Sequence, residues 1–251
     1  MILKVNNLSF SYTEKPVLQT FSFSIGKGDC IAILGTNGVG KSTLLKCLNR
    51  ILKPTAGAIT INETNINDMA SNNLAQEIGY VSQTNQFSDV SVFDAILLGR
   101  KPYIKWDVTK NDLEIVQDIL KRMELSEYAL RPVTQLSGGE MQKVAIARAL
   151  AQQPNVLLFD EPTSNLDLKN QLEVIQLIKE IVEEQGISAM VTMHDLNLAL
   201  RFANKFIMMK DGKLFAVGGQ EIITEESIKE VYGVSVALID HNKTPVVVPN
   251  A

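Results

Sequence analysis

The strongest indication of the fold is the segment Gly35-Thr36-Asn37-Gly38-Val39-Gly40-Lys41-Ser42-Thr43. An apolar run at Cys30–Leu34 precedes it, and a helical pattern at Lys41–Leu52 follows. Strand, glycine loop and helix are the context in which G-x-x-x-x-G-K-[ST] binds phosphate. The glycines allow backbone N–H groups to converge on phosphate oxygens, and the helix start adds a favourable dipole. Lys41 is predicted to reach the β- and γ-phosphates, and Ser42 to ligate Mg²⁺. The structural alternative, a glycine-rich turn without a ligand, does not explain the full spacing.

A second segment, Val156-Leu157-Leu158-Phe159-Asp160-Glu161-Pro162, places two carboxylates at the end of an apolar strand. Open parallel sheets have their ligand crevice at the carboxyl ends of the strands. Asp160 is predicted to position Mg²⁺, mostly through the water shell that this ion keeps. Pro162 predicts an extended backbone at Glu161. A structural acidic turn is the alternative, which the phosphate loop makes less attractive.

The third segment is Leu136-Ser137-Gly138-Gly139-Glu140. It has a purely structural interpretation as a capping box, with Ser137 at the N-cap and Glu140 three residues later. A capped helix start preceded by glycines also exposes N–H groups to a phosphate, and the serine can accept from the backbone while it donates to a phosphate oxygen. On its own, the segment would be interpreted as a cap.

The three segments in this order resemble the ATP-binding-cassette (ABC) ATPases, in which two cassettes pair head to tail around two nucleotides. The resemblance implies an α/β fold: a P-loop ATPase core with a mixed sheet, an N-terminal antiparallel β-subdomain and an inserted helical subdomain. It predicts one ABC ATPase domain over residues 1–251. Within it, 1–84 and 152–220 form the nucleotide-binding core, 85–151 the helical subdomain with the signature motif, and 221–251 a C-terminal tail.

The resemblance also assigns catalytic roles. Glu161 is implied to be the base that orients and activates the attacking water. Gln83, just after the strand pattern at Ile78–Ser82, is implied to touch Mg²⁺ or that water and to move with a membrane partner. His194, in Thr192-Met193-His194-Asp195, matches the switch histidine that contacts the γ-phosphate. Position alone would allow an ordinary solvated glutamine and a surface histidine.

Further nucleotide contacts follow from the same family pattern. Ser137, Gly138, Gly139 and Glu140 are implied to close over the γ-phosphate held by a partner subunit. Asp167, in Ser164-Asn165-Leu166-Asp167, matches the loop that crosses the dimer interface, and Tyr12 matches the aromatic that stacks on adenine. An aromatic in an amphipathic strand is more often a packing residue. Met141 departs from the family, which often has arginine there.

Composition limits the classes of function. The 251 residues carry a net charge of −4, with 45% hydrophobic and 21% charged residues, so we expect no nucleic-acid partner. Cys30 and Cys47 have no metal-ligand spacing and are predicted to be reduced core thiols of a cytosolic protein. No apolar run approaches the roughly 18 residues that span a bilayer. Met1–Val5 enters a strand pattern without a signal-peptide pattern. A membrane function would therefore need a second chain.

Two softer segments favour one subgroup of the family. Leu98-Gly99-Arg100-Lys101-Pro102, and the tail Ile228–Val234 with Val246–Pro249, resemble the importer ATPases for iron–siderophores, haem and vitamin B12, although both could be generic packing. The resemblance implies ATP and Mg²⁺ as cofactors. It implies an ATP-dependent homodimer, transmembrane permease subunits docked near Gln83–Lys105 and, indirectly, a periplasmic or extracellular substrate-binding protein. The location would be the cytoplasmic face of the membrane.

Other classes remain open from the sequence. The chain could serve another transporter class, or act as a soluble ABC switch in translation or DNA repair, although those proteins usually carry two cassettes or long inserted arms. A nucleotide-binding module without turnover is a third alternative, which Glu161 and His194 argue against.

The remaining patterns concern local structure. Val174, Ile175, Ile178, Ile181 and Val182 predict one buried face of a helix near Lys169–Glu184. Asp211-Gly212 predicts a hairpin turn. The tail is predicted to contain a helix at Glu225–Tyr232, followed by apolar stretches at Val234–Ile239 and Pro245–Val248.

Overall fold

The computed structural model describes residues 1–84, 87–164, 166–241 and 244–250. It forms two compact units, one made of Met1–Asp68 with Ile178–Ala251 and the other of Met69–Leu177. Packing defines these units, so the subdomain boundaries predicted from the motifs stay a prediction. The strands are β1 (Leu3–Ser11), β2 (Pro16–Ile25), β3 (Cys30–Leu34), β4 (Ala56–Ile61), β5 (Thr64–Asn65), β6 (Ile78–Val81), β7 (Val156–Asp160), β8 (Ser188–Thr192), β9 (Lys205–Lys210), β10 (Lys213–Gly218), β11 (Val236–His241) and β12 (Thr244–Pro249). The helices are α1 (Lys41–Leu48), α2 (Ser71–Glu77), α3 (Val92–Leu97), α4 (Lys110–Arg122), α5 (Gly138–Leu150), α6 (Leu168–Gln185), α7 (Leu196–Phe202) and α8 (Glu225–Tyr232).

The first unit is built on a mixed sheet with the order β5-β4-β1-β2-β10-β9-β3-β8. Its N-terminal part, β1 with β2 and β4, is antiparallel, as the family pattern predicts. β3 pairs in parallel with both β8 and β9, and all five of its residues are buried. A strand buried on both faces needs apolar residues throughout, which explains the continuous apolar run before the glycine loop.

The second unit holds the parallel pair β6 and β7 and the helical segment predicted from about Val90 onward. α3, α4 and α5 make up this segment, joined by short 3₁₀ turns. α4 and α5 each begin with a complete capping box, so backbone N–H groups at both helix starts are satisfied by side chains. The inserted helical subdomain is therefore present.

Several local predictions are confirmed. Asp211 and Gly212 join β9 to β10 in an antiparallel hairpin, and α8 has the predicted bounds. The five apolar positions of α6 are all buried, at 4% exposure or less. β11 and β12 pair in an antiparallel hairpin. Cys30 and Cys47 are buried free thiols, and burial raises the pKa of each.

The helix predicted over Lys41–Leu52 is shorter than predicted, because α1 ends at Leu48. Asn49 is its C-cap, and Arg50 has a left-handed φ of 55°. The Arg50 guanidinium donates to the Ile66 carbonyl oxygen at 2.7 Å. The chain thus leaves the helix before it reaches Pro54.

Among the helices of the described ranges, none is long and apolar enough to cross a membrane.

Candidate active site

The phosphate loop lies between β3 and α1, as the sequence predicts. Gly35 and Gly40 have φ of 148° and 109°, values that L side chains rarely adopt. A Cβ on Gly35 would lie 2.6 Å from the Met209 carbonyl oxygen, so a side chain would displace the loop from β9. Gly40 is the N-cap of α1 and provides no side-chain cap. The positive end of the α1 dipole thus lies at the loop, where it favours an anion.

Lys41 is held inside this loop. Lys41 is only 5% exposed, and its Nζ donates to the carbonyl oxygens of Gly35 at 2.8 Å and Thr36 at 3.1 Å. A buried ammonium needs such partners. These two carbonyl oxygens hold the ammonium group of Lys41 beside the N–H groups of the loop. A bound phosphate would replace the carbonyl oxygens as the partner of Lys41. Ser42 follows at the helix start and is half-buried.

Tyr12 lies next to the phosphate loop although it is distant in sequence. Its hydroxyl is 3.4 Å from Thr43 Oγ1, and its ring meets the Phe10 ring edge-on with centroids 4.8 Å apart. Tyr12 is 59% exposed, so packing against the protein leaves much of the residue accessible. A cleft of about 680 Å³ runs between Tyr12 and the loop residues Thr36, Gly38 and Val39. Stacking of Tyr12 on adenine stays a prediction, and the ring has the exposure it requires.

The carboxylates predicted at the end of β7 differ in their surroundings. Asp160 is buried at 4% exposure, and the Tyr80 hydroxyl donates to its Oδ2 at 3.3 Å. Burial and the charge of Asp160 raise the pKa of Tyr80, so the phenol stays protonated and donates. Tyr80 was missed by the sequence reasoning, because a tyrosine in an apolar strand is an ordinary packing residue.

The predicted extended backbone at Glu161 is wrong, since its φ is 49°. The proline that follows disfavours the right-handed helical region, and the tight turn after β7 uses the left-handed region instead. In this turn the Glu161 carbonyl oxygen accepts from Ser164 Oγ at 2.9 Å and Ser164 N at 3.1 Å. A non-glycine residue in such a conformation costs about 1–3 kcal/mol, which the contacts of the turn must offset.

Gln83 and Glu161 are brought together. Gln83 Nε2 donates to Glu161 Oε2 at 2.6 Å, although 78 residues separate them. Gln83 is exposed and Glu161 half-buried. The glutamine thus contacts the carboxylate that the family pattern assigns as the base.

The signature segment forms the capping box that its structural interpretation predicts. The Ser137 side chain accepts from Glu140 N at 3.4 Å, and Glu140 Oε2 accepts from Ser137 N and Ser137 Oγ, both at 2.8 Å. The backbone N–H and the hydroxyl of Ser137 lower the pKa of Glu140. The Ser137 hydroxyl thus donates its hydrogen bond to Glu140. It can donate to a phosphate oxygen only after this hydrogen bond is broken. Ser137 and Gly138 are exposed, and Met141 is half-buried.

Asp167 bonds to Asn170, which lies beside Gly139 of the signature segment. Its Oδ1 accepts from Asn170 N at 2.9 Å, as an N-cap does at the start of α6, and its Oδ2 accepts from Asn170 Nδ2 at 3.0 Å. A Cβ on Gly139 would lie 2.9 Å from Asn170 Oδ1, so the glycine permits the close approach. Asp167 therefore has a structural role beside its predicted one. Asn165 of the same loop lies outside the described residues.

His194 follows β8 and is exposed, and its role as the switch histidine stays a prediction. Asp195 caps α7, because its Oδ1 accepts from Asn197 N at 2.8 Å and Leu198 N at 3.0 Å. The cap fixes the start of α7 directly after His194. His241 ends β11 and has no counterpart of this turn.

The subgroup segment Leu98–Pro102 has a packing explanation. Arg100 is 2% exposed, and its Nε pairs with Asp112 Oδ1 at 2.9 Å. Its Nη1 donates to the Ala151 carbonyl oxygen at 2.8 Å and to Gln153 Oε1 at 2.9 Å. The guanidinium also stacks on the Tyr103 ring at 3.9 Å. Arg100 thus ties α4 and the end of α5 to the turn after α3.

Replacement of Arg100 by Met should lower the free energy of unfolding by about 3–5 kcal/mol, because a buried carboxylate loses its partner. The Thr109 hydroxyl and then Arg100 lower the pKa of Asp112, so the carboxylate is charged. Urea titration measures the loss. Lys110→Met is the matched control, since its pair with Glu114 is solvent-exposed and contributes at most about 1 kcal/mol. Equal small losses in both variants would contradict the packing role of Arg100.

Comparison with known proteins identifies the class to which this site belongs. The family model for ABC transporters matches residues 18–164, and the chain belongs to this family. An uncharacterized ABC transporter ATP-binding protein of Methanocaldococcus jannaschii, MJ0089, is 52% identical over 99% of this chain and 98% of its own. The petrobactin import ATP-binding protein FpuC of Bacillus anthracis is 34% identical over 99% of this chain and 93% of its own. The iron(3+)-hydroxamate import ATP-binding protein FhuC of Bacillus subtilis is 35% identical over 96% and 91%.

Comparison with solved structures gives the same family. A chain of an ABC transporter in an inward-facing conformation superposes with a TM-score of 0.87, at 31% identity, over 100% of this chain and 97% of that one. The ATP-binding cassette MJ0796 superposes with a TM-score of 0.76, at 31% identity, over 87% of this chain and 98% of that one. Its structure is a dimer in a post-hydrolysis state with ADP and Pi. The predicted fold is confirmed. The protein is an ATP-binding subunit of the ABC family and hydrolyses ATP.

Proposed function

We propose that this chain is the ATP-hydrolysing subunit of an ABC importer, and that it drives a membrane permease for iron–siderophores, haem or cobalamin. The relatives named for petrobactin and iron(3+)-hydroxamate import favour the siderophore within this group. The observation that carries the hydrolytic role is the Glu161 carboxylate held by Gln83 at the end of β7.

We assign the residues as follows. The N–H groups of the loop and Lys41 bind the triphosphate, and Tyr12 receives the adenine beside them. Glu161 orients a water molecule for attack on the γ-phosphorus and accepts its proton, while Gln83 keeps the carboxylate in place. His194 contacts the γ-phosphate. The protein contributes positioning and charge neutralisation, which are the main requirements of phosphoryl transfer.

Mg²⁺ fits the donor set that the chain provides. The Ser42 hydroxyl and the Asp160 carboxylate are the hard oxygen ligands that this ion prefers, and a site with few protein ligands leaves positions for water and phosphate oxygens. Tyr80 orients the buried Asp160 carboxylate. When bound, the ion supplies neutralisation of the charge on the phosphates. Ser42 and Asp160 would hold it.

We further propose that two copies pair head to tail, with Ser137–Glu140 and Asp167 of each copy completing the site on the partner. The MJ0796 structure supports this, since that cassette is dimeric. The permease would dock near Gln83–Lys105 from the cytoplasmic face of the membrane. Trp106, 99% exposed and adjacent to this range, offers an apolar contact there. A substrate-binding protein outside the cell would deliver the cargo.

Replacement of Lys41 by Ala should weaken ATP binding tenfold to a hundredfold, because a charge-assisted hydrogen bond contributes about 1.5–3 kcal/mol. Calorimetric titration with ATP measures the change. Lys46→Ala is the matched control, since Lys46 lies in the last turn of α1, away from the loop. Unchanged affinity in Lys41→Ala would show that ATP binds elsewhere.

The importer assignment has its own test. The chain should copurify with a multi-span permease encoded beside it, and the reconstituted pair should take up a ferric siderophore with ATP. Uptake of haem or cobalamin instead would change the substrate class. A chain that is fully active without a permease would favour the soluble switch.

A further inference from the structure

The C-terminal tail contacts the phosphate loop directly. Tyr232, the last residue of α8, accepts a hydrogen bond from Gly35 N at 2.9 Å, across 197 residues of sequence. Burial raises the pKa of Tyr232 to about 12, so the phenol stays neutral at physiological pH. The two residues belong to the same compact unit. The subgroup resemblance includes this position within Ile228–Val234 but assigns no role to the tyrosine.

Gly35 is the residue through which such a contact acts on the site. It is the first residue after β3, and its backbone approaches the Met209 carbonyl oxygen too closely for any side chain. Its N–H is bonded to Tyr232, and its carbonyl oxygen accepts from Lys41 Nζ at 2.8 Å. The position of Gly35 therefore fixes where the loop begins and where the lysine is held.

The tail is itself anchored at two further points. The Glu230 carboxylate of α8 pairs with Lys210 at the end of β9. In the hairpin, both backbone groups of Val247 bond to the Asn197 side chain: Val247 N donates to Oδ1 at 2.8 Å, and Nδ2 donates to the Val247 carbonyl oxygen at 3.2 Å. Asn197 lies in the first turn of α7, three residues after His194. The tail thus holds both the start of the loop and the helix that follows the switch histidine.

We propose that Tyr232 is a positioning residue for ATP binding, through which the C-terminal tail holds the phosphate loop in its binding conformation. The proposal rests on the assignment of this loop as the ATP site. The tyrosine does not touch the nucleotide. Its oxygen satisfies the N–H that β3 leaves unpaired at the point where the chain departs from the sheet, and without it the loop can move away from β9.

Tyr232→Phe tests this, because it removes one oxygen and keeps the ring. The dissociation constant for MgATP should rise about two- to tenfold, the effect of one lost hydrogen bond, while kcat at saturating ATP stays near that of the unchanged protein. Lys229→Gln is the control: Lys229 is an exposed residue of the same helix whose side chain makes none of the anchoring contacts described above, and the ATP affinity should not change. A fall in melting temperature with an unchanged dissociation constant would reduce Tyr232 to a stabilising residue and overturn the proposal.

Hydrogen exchange provides a second measurement that does not depend on the variant. Coupling between two sites is reciprocal, so ATP binding must strengthen the attachment of the tail. A non-hydrolysable ATP analogue should slow amide exchange in α8 of the unchanged protein. Exchange in α8 that is identical with and without the analogue, although calorimetry shows binding, would overturn the proposal. Failure of the unchanged protein to bind ATP would instead overturn the site assignment itself.

Discussion

Replacement of Glu161 by Gln should nearly abolish ATP hydrolysis and leave ATP binding intact. General-base catalysis contributes about 10²- to 10⁴-fold, and an amide cannot accept the proton from the attacking water. The substitution preserves shape, and the new amide oxygen can still accept from Gln83 Nε2, which is 2.6 Å from the present carboxylate. The phosphate loop is unchanged. A steady-state phosphate-release assay and calorimetric ATP binding measure the two effects.

The same variant should accumulate as an ATP-bound dimer, visible as an ATP-dependent shift in size-exclusion chromatography, because the reaction that opens the pair is blocked. Glu173→Gln is the matched control: it removes an equal charge from an exposed pair with Lys169 on α6 and should hydrolyse ATP normally. Near-normal turnover in Glu161→Gln would reject Glu161 as the base and direct attention to His194 or Gln83.

Replacement of Ser137 by Arg should block closure of the dimer while the monomer still binds ATP. The exposed serine would be replaced by a bulky cation at a helix start, which also loses its cap at a cost of about 0.5–2 kcal/mol. Thr109→Arg, which removes the equivalent capping box of α4, separates the cost of the cap from the effect on the site. The control should bind ATP and dimerise.

A mixture of Ser137→Arg and Lys41→Ala subunits gives the sharpest contrast. Each composite site joins the phosphate loop of one subunit to the signature segment of the other. The mixed dimer therefore has one site with both lesions and one site with neither. Hydrolysis should return when two nearly inactive proteins are mixed, to at most about half the original rate per dimer on this geometric count, provided that one intact site turns over alone.

Two results would contradict the composite site. Loss of ATP binding by the Ser137→Arg monomer would assign the serine to the pocket of its own chain. Hydrolysis by Ser137→Arg alone, equal to that of the unchanged protein, would show that the site is complete within one subunit.

Local signals in the sequence are sufficient to predict the class of the protein and most of its local structure. Strand β3, the glycine loop and α1 follow from an apolar run, a fixed spacing and a helical period, all of which act within about 20 residues. The hairpin at Asp211-Gly212 and the bounds of α8 are equally local, since turn residues and caps act on their immediate neighbours. Local signals failed where two of them competed: Pro162 predicted an extended Glu161, and the turn after β7 imposed a φ of 49°.

Contacts between side chains that are distant in sequence depend on the folded chain. Gln83 and Glu161 are 78 residues apart, and Tyr232 reaches Gly35 across 197 residues. Neither tyrosine contact, Tyr80 with Asp160 or Tyr232 with Gly35, leaves a local pattern, because a tyrosine in a strand or helix packs its ring whether or not its hydroxyl has a functional partner. Periodicity reports which face of an element is buried. The partner of a polar atom on that face depends on sheet order and chain crossing, which only the folded chain defines.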